Sequence, residues 1–226
     1  MPPGSHFPTL GTAQTASWPS GPAEQSWQRR TKRLLDIILS GTALLILSPL
    51  LLLIALAVKL DSSGPVLYTS TRLGRRGCPF TMFKFRTMCP EADRLKEHLL
   101  HLNTLKGPVF KLPNDPRITR LGRLLRRTSL DELPQLLNIF RGDMSLVGPR
   151  PPLPDEAAKY DRWHWRRLDV RPGLTGLWQI SGRASEPDFD RWVAWDLRYI
   201  DEWSLGLDLR IICQTIPAVC RGHGAF

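Results

Sequence analysis

From Ile37 to Val58 the chain carries no charged residue: IILSGTALLILSPLLLLIALAV. A run of that length is a membrane-helix pattern. A cleaved signal peptide would start earlier and be shorter, and a buried core helix would rarely be so uniformly apolar. Cations flank the run on both sides, with Arg29, Arg30, Lys32 and Arg33 before it and Lys59, Arg72, Arg75 and Arg76 after it. Positive charge tends to hold loops on the cytoplasmic side, so both ends are drawn to the same face. Ser48-Pro49 falls near the middle, where a proline removes a backbone hydrogen bond and bends a helix. A helix that enters and returns satisfies both observations, and a kinked spanning helix remains open at this level. Residues 1–26 are rich in Pro, Gly, Ser and Thr without hydrophobic periodicity and read as a disordered leader.

Beyond Asp61 the pattern turns amphipathic. Residues 64–88 read as two short strands around a Gly-Arg turn. Residues 91–102 read as a helix, and a second opens at Ser129 or Asp131 and runs to about Phe140. Residues 141–154 are a turn-rich loop without helical period. A helix is expected over 155–169, carrying Tyr160, Arg162, Trp163, Trp165, Arg166 and Arg167, and another over about 187–200, carrying Trp192, Trp195 and Tyr199. Trp and Arg on short amphipathic helices suit a membrane interface, though ordinary core tryptophans fit as well. The expected architecture is α/β or α+β, mainly helical: a membrane helix over 27–60, re-entrant or spanning, broken at Ser48-Pro49, followed by a domain over 61–226.

Composition narrows the partner. Lys and Arg total 31 against 21 Asp and Glu, a formal charge of +10, which calls for an anionic partner: nucleic acid, anionic lipid or a phosphorylated substrate. No helix-turn-helix, zinc or RNA-binding motif accompanies that charge, so nucleic acid is not expected. Cys78, Cys89, Cys213 and Cys220 form no C-x-x-C pair and read as reduced. His98 and His101 share a helical face but lack a third metal ligand.

The stretch RRTSLDELPQL, from Arg126 to Leu136, concentrates the chemistry. Ser129 and Glu132 have capping-box spacing, and Pro134 is tolerable in a first turn. A helix start also attracts phosphate, and a carboxylate held among phosphate-binding groups is a candidate nucleophile toward phosphorus.

Four ordered blocks carry a resemblance: KFRTM (84–88), RRTSLDELPQLLNIFRGDMSLVGPRP (126–151), RPGLTGLWQISGR (171–183) and DLRIICQTI followed by the terminal GHGAF (208–226). Together they resemble the bacterial sugar transferase family, the monotopic polyprenyl-phosphate phosphoglycosyl transferases, over about Lys32 to Phe226, which implies a re-entrant rather than spanning helix over 27–60 and a small membrane-associated catalytic domain over 61–226. The resemblance implies transfer of a sugar 1-phosphate from a UDP-sugar to undecaprenyl phosphate with release of UMP. In the family this is the first membrane step of exopolysaccharide, capsule or O-antigen assembly, on the cytoplasmic face of the bacterial inner membrane. It implies that Asp131 is the nucleophile, that an aspartyl-phosphosugar forms, that Glu132 completes the dyad, and that both carboxylates hold Mg²⁺. Arg126 then matches a phosphate-binding arginine. Lys84 and Arg86 alternate with Phe83 and Phe85, so a strand would put both cations on one face, toward the site. Pro149, Arg150 and Pro151 form a stiff loop expected at the nucleotide, with Arg183, Gln179 and Trp178 as further pocket candidates. The LWQISGR form is nearer to members that use UDP-glucose or UDP-galactose. Larger members carry additional membrane helices and a nucleotide-fold domain, so this chain is expected to be a catalytic unit that could pair as a homodimer through its membrane helix.

Overall fold

The computed structural model describes residues 26–103, 107–110, 112, 114–180 and 188–220. Most of the leader, Arg183 and the terminal GHGAF lie outside those residues. The described chain is mainly helical with two small sheets, an α+β arrangement. It runs α1 (Ser26–Asp61), β1 (Leu67–Leu73), β2 (Pro79–Phe85), α2 (Ala92–Leu99), α3 (Arg120–Arg127), α4 (Gln135–Arg141), β3 (Ser145–Val147), α5 (Pro154–Ala157), β4 (Gly173–Thr175), α6 (Leu177–Ile180), α7 (Phe189–Asp201) and α8 (Leu205–Cys220). β1 and β2 form an antiparallel hairpin in which Tyr68 faces Lys84 and Arg72 faces Phe80. β3 and β4 pair in parallel, Ser145 with Gly173 and Val147 with Thr175.

The uncharged run is the centre of α1, a helix of 36 residues and so about 54 Å long. Among the described residues it is the one helix long and apolar enough to cross a membrane. Only 11% of its most apolar window is buried in the protein, which separates it from a soluble core helix; Leu45, Leu52 and Leu60 are among the leucines it leaves bare. At Ser48-Pro49, where a break is expected, the chain stays helical through Pro49. Ser48 Oγ turns back to donate to Leu45 O at 2.8 Å, a local bond that helps a helix absorb a distortion.

α1 is fastened to the same body near both of its ends. At the first end, Lys32 Nζ donates to Asp208 Oδ2 at 2.5 Å and to Val147 O at 3.2 Å. Arg33 donates to Ile139 O and Phe140 O, carbonyls in the last turn of α4. The buried Asp36 accepts from Leu146 N at 2.9 Å and Ser145 Oγ at 3.1 Å, which pins β3 to α1. Midway, Ala43, Leu44 and Leu47 pack against Met82, Leu136, Ile139 and Met144. Toward the far end, Ile54 and Val58 pack with Phe85 and Leu125.

Two helices differ from the sequence pattern. The helix expected over 155–169 is the single turn α5 and a separate 3-10 turn, His164–Leu168. The His164 ring accepts from Asp161 N at 3.0 Å and stabilises the turn between them. The helix expected over 187–200 is present as α7, but Trp192 and Tyr199 are buried. Trp192 stacks on Trp178, with ring centroids 4.6 Å apart and planes within 8°, so this pair builds the core.

Candidate active site

The dyad sits on a 3-10 turn, Leu130–Glu132, between α3 and α4. The expected capping box is not formed. Ser129 adopts a left-handed backbone, φ 55°, and its side chain makes no cap, since an N-cap requires an extended backbone. α4 begins only at Gln135, after Pro134. Packing holds the turn instead. Leu130 lies against the Ile54, Val58, Phe85 and Leu125 cluster, and Leu133 bridges that cluster and the one around Ile139. The two leucines of LDEL thus anchor into the surface that α1 presents, and the two carboxylates between them meet Lys84.

Lys84, on β2, donates to Glu132 Oε1 at 2.5 Å and lies 4.0 Å from Asp131 Oδ2. The Asp131 side chain is 9% exposed and that of Glu132 34%. Burial, opposed by Lys84 and aided by the negative charge of Glu132, pushes the Asp131 carboxyl up to about 6. For Glu132 burial acts upward too, but Lys84, with Arg150 and Arg72, outweighs it and holds the group below the ordinary carboxylate range. Neighbouring carboxylates with diverging environments are thereby given different proton affinities.

Arg126 closes the other flank from the last turn of α3, its Nε donating to Thr87 Oγ1 at 2.9 Å. Burial lowers its proton affinity and the Asp131 charge partly restores it. The position of α3 is set by Gly122, where a Cβ would lie 2.1 Å from Thr87 O, and by Thr119, whose Oγ1 caps the helix at Gly122 N, 2.9 Å.

KFRTM therefore divides its work. Lys84 reaches the dyad and Thr87 holds Arg126. Arg86, expected on the same face as Lys84, does not point to the dyad. It lies one residue beyond β2, and its guanidinium is taken up by Val58 O in the last turn of α1 at 3.1 Å, and by Ser62 O at 2.6 Å and Pro65 O in the segment that follows.

The Gly148–Pro151 loop is held by its carbonyls. Pro149 O accepts from Gly173 N at 2.9 Å, Arg150 O from Arg167 at 3.3 Å, and Pro151 O from Arg72 at 3.2 Å. Gly173 allows this approach, since a Cβ there would lie 2.0 Å from Gly148 N. With its backbone fixed, Arg150 is near enough for its charge to act on Glu132 and on Arg72. Arg72 belongs to the site although the sequence reading treats it only as a flanking charge. Burial and Arg150 press its guanidinium down to about 10, and Glu156, Tyr68 and Glu132 oppose them. The hairpin register supplies the signal, placing Arg72 and Lys84 on one face, but register is not legible in the sequence. Arg167, also missed, is buried against Asp196 at 2.5 Å beneath the loop. Trp178 and Gln179 are not brought to the dyad: Trp178 is a core residue, and Gln179 Nε2 donates to Leu174 O at 3.3 Å.

No group of three or more His, Cys, Asp or Glu side chains converges among the described residues. Two adjacent carboxylates are the sparse donor set that suits Mg²⁺, which takes one or two from protein and leaves the remainder to phosphate and water. Asp131 and Glu132 fit such an ion. In their arrangement Lys84 and Arg126 act on the buried Asp131, and Lys84, Arg150 and Arg72 act on Glu132, so positive charge that a diphosphate needs lies beside both carboxylates.

Residues 27–222 match the family described as bacterial sugar transferase. The chain is 47% identical over 199 residues to exopolysaccharide production protein ExoY of Rhizobium meliloti, covering 86% of this chain and 88% of that one. It is 46% identical over 194 residues to galactosyl transferase CpsE of Streptococcus agalactiae, covering 86% of this chain but 43% of that one. It is 39% identical over 221 residues to UDP-glucose:undecaprenyl-phosphate glucose-1-phosphate transferase of Caulobacter vibrioides, covering 92% and 76%. The chain thus spans most of two of these relatives and less than half of the third.

Proposed function

Because this chain belongs to the bacterial sugar transferase family, we propose that it transfers a hexose 1-phosphate, glucose or galactose, from a UDP-sugar to undecaprenyl phosphate and releases UMP. The carrying observation is the LDEL turn: its leucines rest on the clusters along α1 while its carboxylates meet Lys84. A site built on a membrane helix can receive a soluble nucleotide sugar and a lipid phosphate in turn. The relatives' names supply the substrates, UDP-glucose and undecaprenyl phosphate in one case and galactose in another.

In the first step an Asp131 oxygen attacks the sugar-bearing phosphorus, the bond from that phosphorus to the oxygen bridging to UMP breaks, and an aspartyl-phosphosugar forms. In the second, a phosphate oxygen of the polyprenyl phosphate attacks the same phosphorus. The acyl-phosphate bond breaks and the carboxylate returns. Attack by one anion on another needs positive charge nearby, and Lys84, Arg126, Arg72 and Arg150 supply it. Mg²⁺, held by Asp131 and Glu132, would neutralise the diphosphate and the leaving phosphate. Burial keeps Asp131 poorly solvated, which favours it as a nucleophile once ionised. Glu132, held ionised by Lys84, remains a charged ligand while Asp131 reacts.

The placement we assign is a re-entrant α1 with the remaining body on the cytoplasmic face of the inner membrane. One body holds both Lys32–Asp36 and Ile54–Val58, which supports ends on the same side, and the flanking cations agree. The test is UMP release by purified protein from UDP-glucose and UDP-galactose, with undecaprenyl phosphate and Mg²⁺, beside Asp131→Asn. Turnover that needs lipid and metal and disappears in the variant supports the assignment; undiminished turnover in the variant overturns it.

A further inference from the structure

α3 has a second face that the transfer chemistry does not use. Gly122 and Leu125 are buried, Gly122 against Thr87 and Leu125 against Ile54 and Val58 of α1. That fixes the rotation of the helix. At 100° per residue, Arg120, Arg123, Leu124 and Arg127 fall within roughly 100° of arc on the opposite side. All four are exposed, Leu124 by 57%. α3 carries no acidic residue, and no ion pair to a described residue holds any of the three arginines. The site's own arginine, Arg126, points inward.

α3 lies beside the bare apolar helix and packs on it by the face turned away from the stripe. Leu121 and Leu125 pack on the α1 segment from Leu51 to Val58, so α3 lies within one interhelical distance, about 10 Å, of the apolar surface of α1. Cations framing one exposed leucine beside a membrane helix match the headgroup region, where arginine meets phosphate and a short apolar side chain dips beneath it.

We propose that Arg120, Arg123 and Arg127, with Leu124, dock α3 onto the headgroups of anionic phospholipids. The three cations span about 10 Å of helix, more than one monophosphate can engage, and they face away from the buried side of α3 that carries Arg126. Bulk anionic lipid fits that spread better than a single acceptor molecule. The inference rests on the membrane placement of α1, not on the transfer reaction.

The test uses the full chain reconstituted in nanodiscs with equal phosphatidylglycerol and phosphatidylcholine. Spin-labelled versions of each lipid report how strongly each is retained at the protein surface. The wild type should retain phosphatidylglycerol several-fold over phosphatidylcholine, the preference should fall as salt rises, and R120Q/R123Q/R127Q should lose most of it. A polarity-sensitive fluorophore at Leu124→Cys, in a background with the four native cysteines replaced by Ser, should be quenched by headgroup-depth spin label. Detergent-phase UMP release should be unchanged in the triple variant, which separates lipid docking from unfolding. Equal retention of the two lipids by the wild type, or full preference in the triple variant, overturns the proposal. So does an unchanged lipid preference with a raised KM for polyprenyl phosphate, which would make the stripe an acceptor site. Failure of the wild type to enter nanodiscs at all would instead overturn the placement of α1.

Discussion

Gly122→Ala tests whether a close approach outside the dyad sets its geometry. A Cβ at Gly122 would lie 2.1 Å from Thr87 O, 2.8 Å from Thr87 C and 2.9 Å from Thr87 Cα, all backbone atoms that cannot swing aside. An ordinary carbon–oxygen contact is near 3.3 Å, so α3 or the strand end must retreat by about 1 Å. Overpacking of that kind costs about 1–3 kcal/mol, or roughly 2–4 °C in Tm per kcal/mol for a protein of this size. Because Arg126 rides on α3 and is bonded to Thr87, the same retreat moves it relative to Asp131. A displacement near 1 Å at a charge-stabilising group costs on the order of 100-fold in rate. The assay is kcat/KM for UMP release below the variant's Tm, with Gly206→Ala as control, since a Cβ there meets nothing nearer than Ser204 Oγ at 3.9 Å. Wild-type activity and Tm in Gly122→Ala would refute the seating of α3. Lost stability with full activity would refute the claim that the seating positions Arg126.

Other consequences follow from the charges. Asp131 binds its proton more tightly in the fold, at about 6 against the usual 3.8, so the folded protein loses stability as pH rises from about 4 to 6. Asp131→Asn removes that cost, on the order of 3 kcal/mol, and should raise Tm at pH 7.5 while abolishing turnover, the gain vanishing below pH 4; an unchanged Tm contradicts it. Lys84→Met removes the cation that favours ionised Asp131. The acid limb of kcat/KM should move to higher pH by about one unit, and a limb that stays or moves down would contradict the 4.0 Å pairing. Asp196→Ala strands the Arg167 charge in the core and should cost about 3–5 kcal/mol by denaturant unfolding; a loss under 1 kcal/mol would mean the pair does not support the Arg150 loop.

What was legible in the sequence depended on range. The uncharged run of α1 is a one-dimensional signal, and so is the ordered set of motifs that located Asp131, Glu132, Lys84, Arg126 and Arg150. The misreadings are tertiary. Ser129 and Glu132 have the spacing of a box, yet Ser129 is left-handed, Leu130 and Leu133 pack on the cluster along α1, and Glu132 goes to Lys84. Arg86 shares the parity of Lys84, but Val58 O at the end of α1 and Ser62 O just after it take up its guanidinium. Arg72 enters only through hairpin register. Pro49 does not end α1, because the loss of one hydrogen bond does not stop a helix whose flanking residues remain helical. The expectation for Arg183 falls outside the described residues.

The central claim is that Asp131 bonds to the phosphosugar. The most direct measurement is rapid-quench peptide mapping after mixing the protein with Mg²⁺ and UDP-glucose or UDP-galactose carrying a radiolabelled hexose, in the absence of lipid acceptor. The account predicts a burst of UMP approaching one per protein, label on the peptide containing Asp131, and release of that label when undecaprenyl phosphate is added. UMP that appears only with acceptor present, with no labelled peptide at any time, would contradict it and leave direct transfer between the two substrates.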